Sequence, residues 1–336
     1  MFNGCSQLED VNVSSFTAES LENTSFMFGH CQSLKKVIFR NFNTEKVTNM
    51  SSMFEDCISL EEVDVSSFNT VNVESMRWMF SNCQSIRELN LSSFYTPRVN
   101  TMERMFFSCE SLESLDIRNF DTSKTESTAE MFFCCKSLEA LDISSFRTTS
   151  LKNLTGMFHG CSSLKSLDLS HFKTDQLQYA NELFYDCKLL SEIDLSGFVT
   201  KNVTSMMYMF HNCESLKTIF VSDSWSNENV IWGGENLNND NEMYYYMFLG
   251  CKSLIGGQGT VFSSSHTGLD YAHIDGGPSN PGYFTYKEYV APVGINAPAV
   301  LQHESEEGVW YTPQGIRVAA PSKGLYIRRG KKIYIK

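Results

Sequence analysis

The chain has 336 residues, 42% of them hydrophobic and 20% charged, with 39 acidic against 27 basic side chains and a net charge of −12. That acidity, with a pI near 5.1, argues against nucleic acid or an anionic membrane as partner. No apolar run approaches the roughly 20 residues of a membrane span.

From the N-terminus, nine cysteines fall in strict register: Cys5, Cys31, Cys57, Cys83, Cys109, Cys135, Cys161, Cys187 and Cys213, each 26 residues after the last. A tenth, Cys251, arrives after 38 residues. Phenylalanine precedes every one of them by three residues, from Phe2 and Phe28 to Phe210 and Phe248. A second phenylalanine row runs from Phe16 to Phe198, and a threonine row from Thr44 to Thr200. Self-similarity at one period marks a solenoid, in which each side chain packs on its own equivalents above and below. Length is then a weak guide to domain number.

One coil can be read on residues 44–69. Leu60, Val63, Val65 and Phe68 alternate with polar residues after the first turn, which suits a short half-buried strand with Asp64 and Ser66 pointing out. Val47, Met50, Met53, Phe54 and Cys57 recur at steps of three and four, which predicts a short helix. Thr44 stands where an N-cap hydroxyl would serve that helix. The expected unit is strand, turn, short helix, turn, with neighbouring strands parallel.

The pattern LxxLxLxxF followed by xTxxVxxMxxMFxxCxSL resembles a leucine-rich repeat, and most closely the BspA-like repeat of bacterial surface proteins. Here it is written as MFEDCISLEEVDVSSF and MFHGCSSLKSLDLSHF. The resemblance covers residues 1–285 and implies export to the cell surface and adhesion to host or neighbouring cells. Residues 256–285, with YAHIDGGPSNPGYFT, resemble the closing segment of such arrays. Met1 opens in the middle of a coil with no signal peptide, so an upstream segment is expected to be missing.

The cysteines read as a row of buried thiols filling the core, since side chains in a ladder point in parallel rather than at each other. A straight row does not supply tetrahedral metal geometry. Cys134 is out of register and is the expected exposed thiol. Among outward strand positions, Asp64, Asn90, Asp116, Asp142, Asp168 and Asp194 form a row that is either an acidic ridge for a basic partner or a solvated strand face. The seven histidines are scattered and pair with no nucleophile, and no phosphate loop or HExxH occurs, so the reading is of a non-enzyme without cofactor.

The tenth coil is enlarged over residues 223–246. Trp225 fills the next phenylalanine slot, which leaves Trp232, Tyr245 and Tyr246 as candidate contacts on a polar loop. Six of the seven prolines lie in the last 60 residues. Residues 286–308 read as an extended linker, and 309–336 as a β tail with a hairpin around Gly330. The tail's KG-L-Y-I step and Lys-rich finish resemble the C-terminal sorting signal of type IX secretion; a cap or a basic tether are the alternatives.

The expectation is a right-handed leucine-rich repeat α/β solenoid of about ten 26-residue coils, with a parallel sheet on one face and short helices outside. A small C-terminal β-hairpin module follows. Such a chain would mediate adhesion by protein–protein binding to host or neighbouring-cell surface or matrix proteins. A structural coat protein, or a carbohydrate-binding module through the enlarged coil, are the alternatives.

Overall fold

The computed structural model describes residues 1–16, 19–40, 42–231 and 246–290, together with the backbone of the tail strands. The chain divides into two units, Met1–Pro292 and Val293–Lys336.

The first unit is a β-solenoid. Short strands β1 (Asp10–Asn12), β2 (Lys36–Ile38) and β3 (Glu62–Asp64) pair in parallel with Val11, Val37 and Val63 in register. β4 (Glu88–Asn90) pairs with β5 (Ser114–Asp116) in the same way. β6 (Glu192–Asp194) and β7 (Thr218–Val221) follow, and the closing strand β8 (Phe284–Tyr286) joins β7 in parallel. Within β1–β3, β4–β5 and β6–β7 each step is one 26-residue coil, so identical positions lie beside one another.

The short outer helices do not form among the described residues; two single 3-10 turns, Leu269–Tyr271 and Gly277–Ser279, lie in the closing segment. The outer wall is a chain of overlapping β-turns. In residues 50–60, the N–H groups of Met53, Glu55 and Cys57 close turns onto the carbonyls of Met50, Ser52 and Phe54. The alternate N–H groups, of Met50, Ser52, Phe54 and Asp56, bond the next coil at Ser75, Arg77, Met79 and Ser81. Half the donors a helix would use internally therefore link coil to coil. Three-residue turns also bring Val47, Met50, Met53, Phe54 and Cys57 inwards, which is why their spacing imitates a helical face.

The turns have a backbone signature. Residues two before and two after each core phenylalanine take positive φ, as at Ser52 (57°) and Asp56 (58°), Trp78 (60°) and Asn82 (59°), and Tyr208 (57°) and Asn212 (58°). A positive φ confined to the third residue of a turn is the type II pattern. For non-glycine residues it costs about 1–2 kcal/mol each, and the paired turn and intercoil bonds hold it in place.

Thr44 is not an N-cap. Its hydroxyl donates to the Asn69 carbonyl at 2.9 Å and accepts from the Asn69 N–H at 2.7 Å, in the next coil. Thr96, Thr122, Thr148, Thr174 and Thr200 repeat this two-way bridge.

Inside, the phenylalanines stack ring on ring. Phe54 and Phe80 lie 5.3 Å apart and Phe106 and Phe132 5.5 Å, with planes within 8°. Every cysteine from Cys31 to Cys213 in the register, and Cys251, is buried and donates its thiol to the phenylalanine carbonyl of the preceding coil at 2.9–3.2 Å. Burial pushes the Cys109 and Cys251 thiols up to about 12. The exposed thiol is Cys5; Cys134 is only half-buried. On the surface, opposite charges meet across one coil step, as in Glu9–Lys35, Lys36–Glu62 and Glu139–Lys165. Such exposed pairs add little stability.

The closing segment covers the last coil. Trp225 packs edge-on against Phe284 at 4.9 Å and donates its indole N–H to the Ala272 carbonyl, filling the phenylalanine slot as expected. Asp275, 4% exposed, accepts from the N–H groups of Gln258, Thr260 and Gly277 and from the Thr260 hydroxyl. The second unit is an antiparallel sheet in the order β10-β9-β11-β12, made of β9 (Trp310–Tyr311), β10 (Arg317–Val318), β11 (Gly324–Arg328) and β12 (Lys331–Ile335). The hairpin expected around Gly330 is the β11–β12 pair.

Candidate interaction surface

The strand-face row is present, and its side chains have a local task. Oδ1 of Asp64, Asn90, Asp142, Asp168 and Asp194 accepts from the N–H of the serine two residues on, at 2.9–3.0 Å. This Asx turn ends each strand and turns the chain. Asparagine does it as well as aspartate, which accounts for Asn90. Asp116 accepts from the Arg118 N–H at 3.3 Å and also takes a fork from its guanidinium, at 2.9 and 2.8 Å. Bonds from Ser144 and Ser170 hold the Asp142 and Asp168 carboxyls below the ordinary range. Asp194 is pushed up by burial, but Lys287, at 2.6 Å, and Ser196 outweigh that and hold it low. Of the tenth-coil candidates, Trp232 and Tyr245 lie outside the described residues. Tyr246 is half-buried and stacks on Tyr208 at 6.1 Å.

A second row was not legible residue by residue. The residue after each core phenylalanine occupies one aligned position of the turn wall, buried at Gly29, Glu55 and Ser81. In the early coils it is Asn3, Gly29, Glu55 and Ser81; in the next five it is Phe107, Phe133, His159, Tyr185 and His211. Their rings form one continuous stack, with centroids 4.7, 4.1, 4.5 and 4.5 Å apart in that order. All five are half-buried, so ring edges reach solvent while the faces hold one another. The usable signal was columnar: one aligned position changes from small or polar to aromatic and stays so for five coils.

The margins of this ladder are built from the left-handed positions of the turns. Arg104 lies over Trp78 at 5.3 Å and over Phe107 at 5.5 Å, and its fork meets Glu130 at 2.8 and 2.9 Å. The bond to Glu130 raises the Arg104 guanidinium further. His159 Nδ1 lies 3.0 Å from Glu182 Oε2, and that bond holds the Glu182 carboxyl low. Tyr208 meets Tyr185 and His211 edge-on at 6.4 and 5.9 Å. Burial lowers the His211 imidazole and leaves its Nδ1 without a hydrogen-bond partner among the described residues. The same is true of Trp78 Nε1 and Asp186 Oδ1. Trp, Tyr, Phe and Arg gathered in one patch is the composition that marks binding surfaces. Among the described residues no group of three His, Cys, Asp or Glu is placed to hold a metal ion, and no helix is long and apolar enough to cross a membrane.

Two overlapping stretches, residues 1–115 and 100–225, match the family described as "Mycoplasma protein of unknown function, DUF285". No curated relative matches the chain. Among solved structures, the chain is similar to a leucine-rich cell surface protein from Faecalibacterium prausnitzii A2-165, at 18% identity over 66% of this chain and 84% of that one. The TM-score of that pair is 0.21.

Proposed function

The chain belongs to the DUF285 family, and we propose that it is a rigid surface scaffold that mediates adhesion by binding a partner protein through its outer aromatic ladder. The observation that carries this reading is the run from Phe107 to His211, a column of the turn wall that turns aromatic and stays so for five coils while the rest of the repeat is kept. Coils that need only stack have no use for five aromatic edges facing water. The frame supports them at low entropic cost, because each ring is already held by its neighbours before any partner arrives.

The strand-face aspartates serve this reading less well, since each has a carboxylate oxygen engaged in its own turn. Location at the cell surface, and host or neighbouring-cell proteins as partners, rest on the likeness of the repeat to BspA-like sequences. A sorting role for residues 309–336 rests likewise on resemblance.

The test is adhesion of beads coated with the full chain to cultured host cells. A Phe133→Ser, Tyr185→Ser variant is expected to release most beads while melting within a few degrees of the parent. Equal adhesion by the two proteins would remove the ladder from the account.

A further inference from the structure

Beyond the ladder, the chain carries a cleft of about 550 Å³ where the closing segment crosses the last regular coils. That is within the usual range for small-ligand sites, roughly 300–1,000 Å³. One wall is Tyr289, carried in by the segment that follows β8. The segment is anchored on both sides: Lys287 N–H bonds the Val221 carbonyl, and its ammonium pairs with Asp194 and lies 5.1 Å from the Phe220 ring centroid. The ring has room because residue 197 is glycine where the equivalent positions are Ser67, Ser93, Asn119, Ser145 and His171, all with a side chain. A Cβ at 197 would lie 2.9 Å from Tyr289 Cε2 and against the Phe172 carbonyl.

The opposite wall is polar and balanced, with Lys173 and Lys201 against Asp175 and Asp223, and with Ser224 and Ser226 between coil and cap. Lys173 and Asp175 stand 3.8 Å apart, too far for a hydrogen bond, and Lys201 has no ion pair among the described residues. Two ammoniums disfavour a cation and two carboxylates disfavour an anion. The balanced lining suits a ligand without net charge, dense in groups that both donate and accept, with an apolar face for the ring.

We propose that this cleft binds a terminal neutral sugar of a glycan, its hydroxyls shared between Asp175, Lys201 and the serines and its C–H face on Tyr289. This site is separate from the aromatic ladder and does not depend on it. The probes are methyl glycosides of glucose, galactose, mannose and N-acetylglucosamine, followed by saturation-transfer NMR on the full chain. Millimolar binding of at least one is expected, weakened about tenfold or more both by Tyr289→Ala and by the exposed change Asp175→Ala, with Phe133→Ser, Tyr185→Ser binding it as the parent does. No transfer to any of the four, or transfer unchanged in both cleft variants, overturns the proposal.

Discussion

The thiol of Cys109 donates to the carbonyl oxygen of Phe80 at 3.1 Å, a bond from one coil to the coil before it. The same carbonyl also accepts from the Cys83 N–H, so the thiol is its second donor. Cys109→Ala is therefore expected to cost about 1 kcal/mol, from the lost bond and a small void. Cys109→Ser, which keeps a donor, should cost less. Urea melts of the two variants give the order. The buried thiols stay protonated at neutral pH, so a soluble disulfide reagent should find Cys5 quickly, Cys134 slowly, and all eleven cysteines only after denaturation. Prompt native reaction of many thiols would contradict the ladder.

Ser108 sits at φ 54°, at the left-handed corner of its turn. Glycine there removes the steric cost but raises the entropy of the unfolded chain, for a net gain near 0.5 kcal/mol. Valine, branched at Cβ, should cost about 1–2 kcal/mol. Melting temperatures in the order glycine, serine, valine are expected; a valine variant as stable as the parent would mean the corner is not left-handed.

How much of this was legible follows from which residues repeat. The period, the inward phenylalanine and cysteine rows, the strand positions and the role of Trp225 could all be read, because burial repeats the same side chain at one phase. The outer wall was misread: Val47, Met50, Met53 and Phe54 face inwards, but three-residue turns achieve this, and spacing alone does not distinguish them from a helix. Asp64 was placed correctly as outward, whereas Thr44 was read as a helix cap. Their tasks were hidden, since the atoms they bond belong to the next coil in one case and to the turn backbone in the other. His159 and His211 looked scattered along the chain because their neighbours in space are 26 residues away.

Asp168 should behave as a turn residue. Asp168→Asn keeps the acceptor for the Ser170 N–H and is expected to cost less than the alanine change, losing only the preference of that bond for the ionised carboxylate. Asp168→Ala should lose no more than about 1 kcal/mol, because the site is open to water. Loss of cell binding in the asparagine variant would instead give its charge a role in recognition.

Asp275 ties the closing segment to the stack. Burial alone would push its carboxyl up, but the bonds from Thr260, Gly277 and Gln258 outweigh it and hold it at about 2 against an ordinary 3.8. The folded value is depressed, so the contribution is fully present above the unfolded value. It is lost as pH falls from there through about 2. A shift of that size corresponds to about 2 kcal/mol. Asp275→Asn should therefore destabilise the protein at pH 7, with the gap from the parent narrowing as the pH approaches 2. A gap that stays constant from neutral to acid would show that the ionised carboxylate is not what holds the segment.

The most direct measurement is binding of the fluorescently labelled full chain to intact host cells, comparing two double variants of matched stability. The Phe133→Ser, Tyr185→Ser variant is predicted to bind at least about tenfold more weakly than the parent, as expected when central aromatic contacts are lost. The Asp142→Asn, Asp168→Asn variant is predicted to bind as the parent does. The reverse result, with binding lost from the strand face and kept without the ladder, would contradict the account.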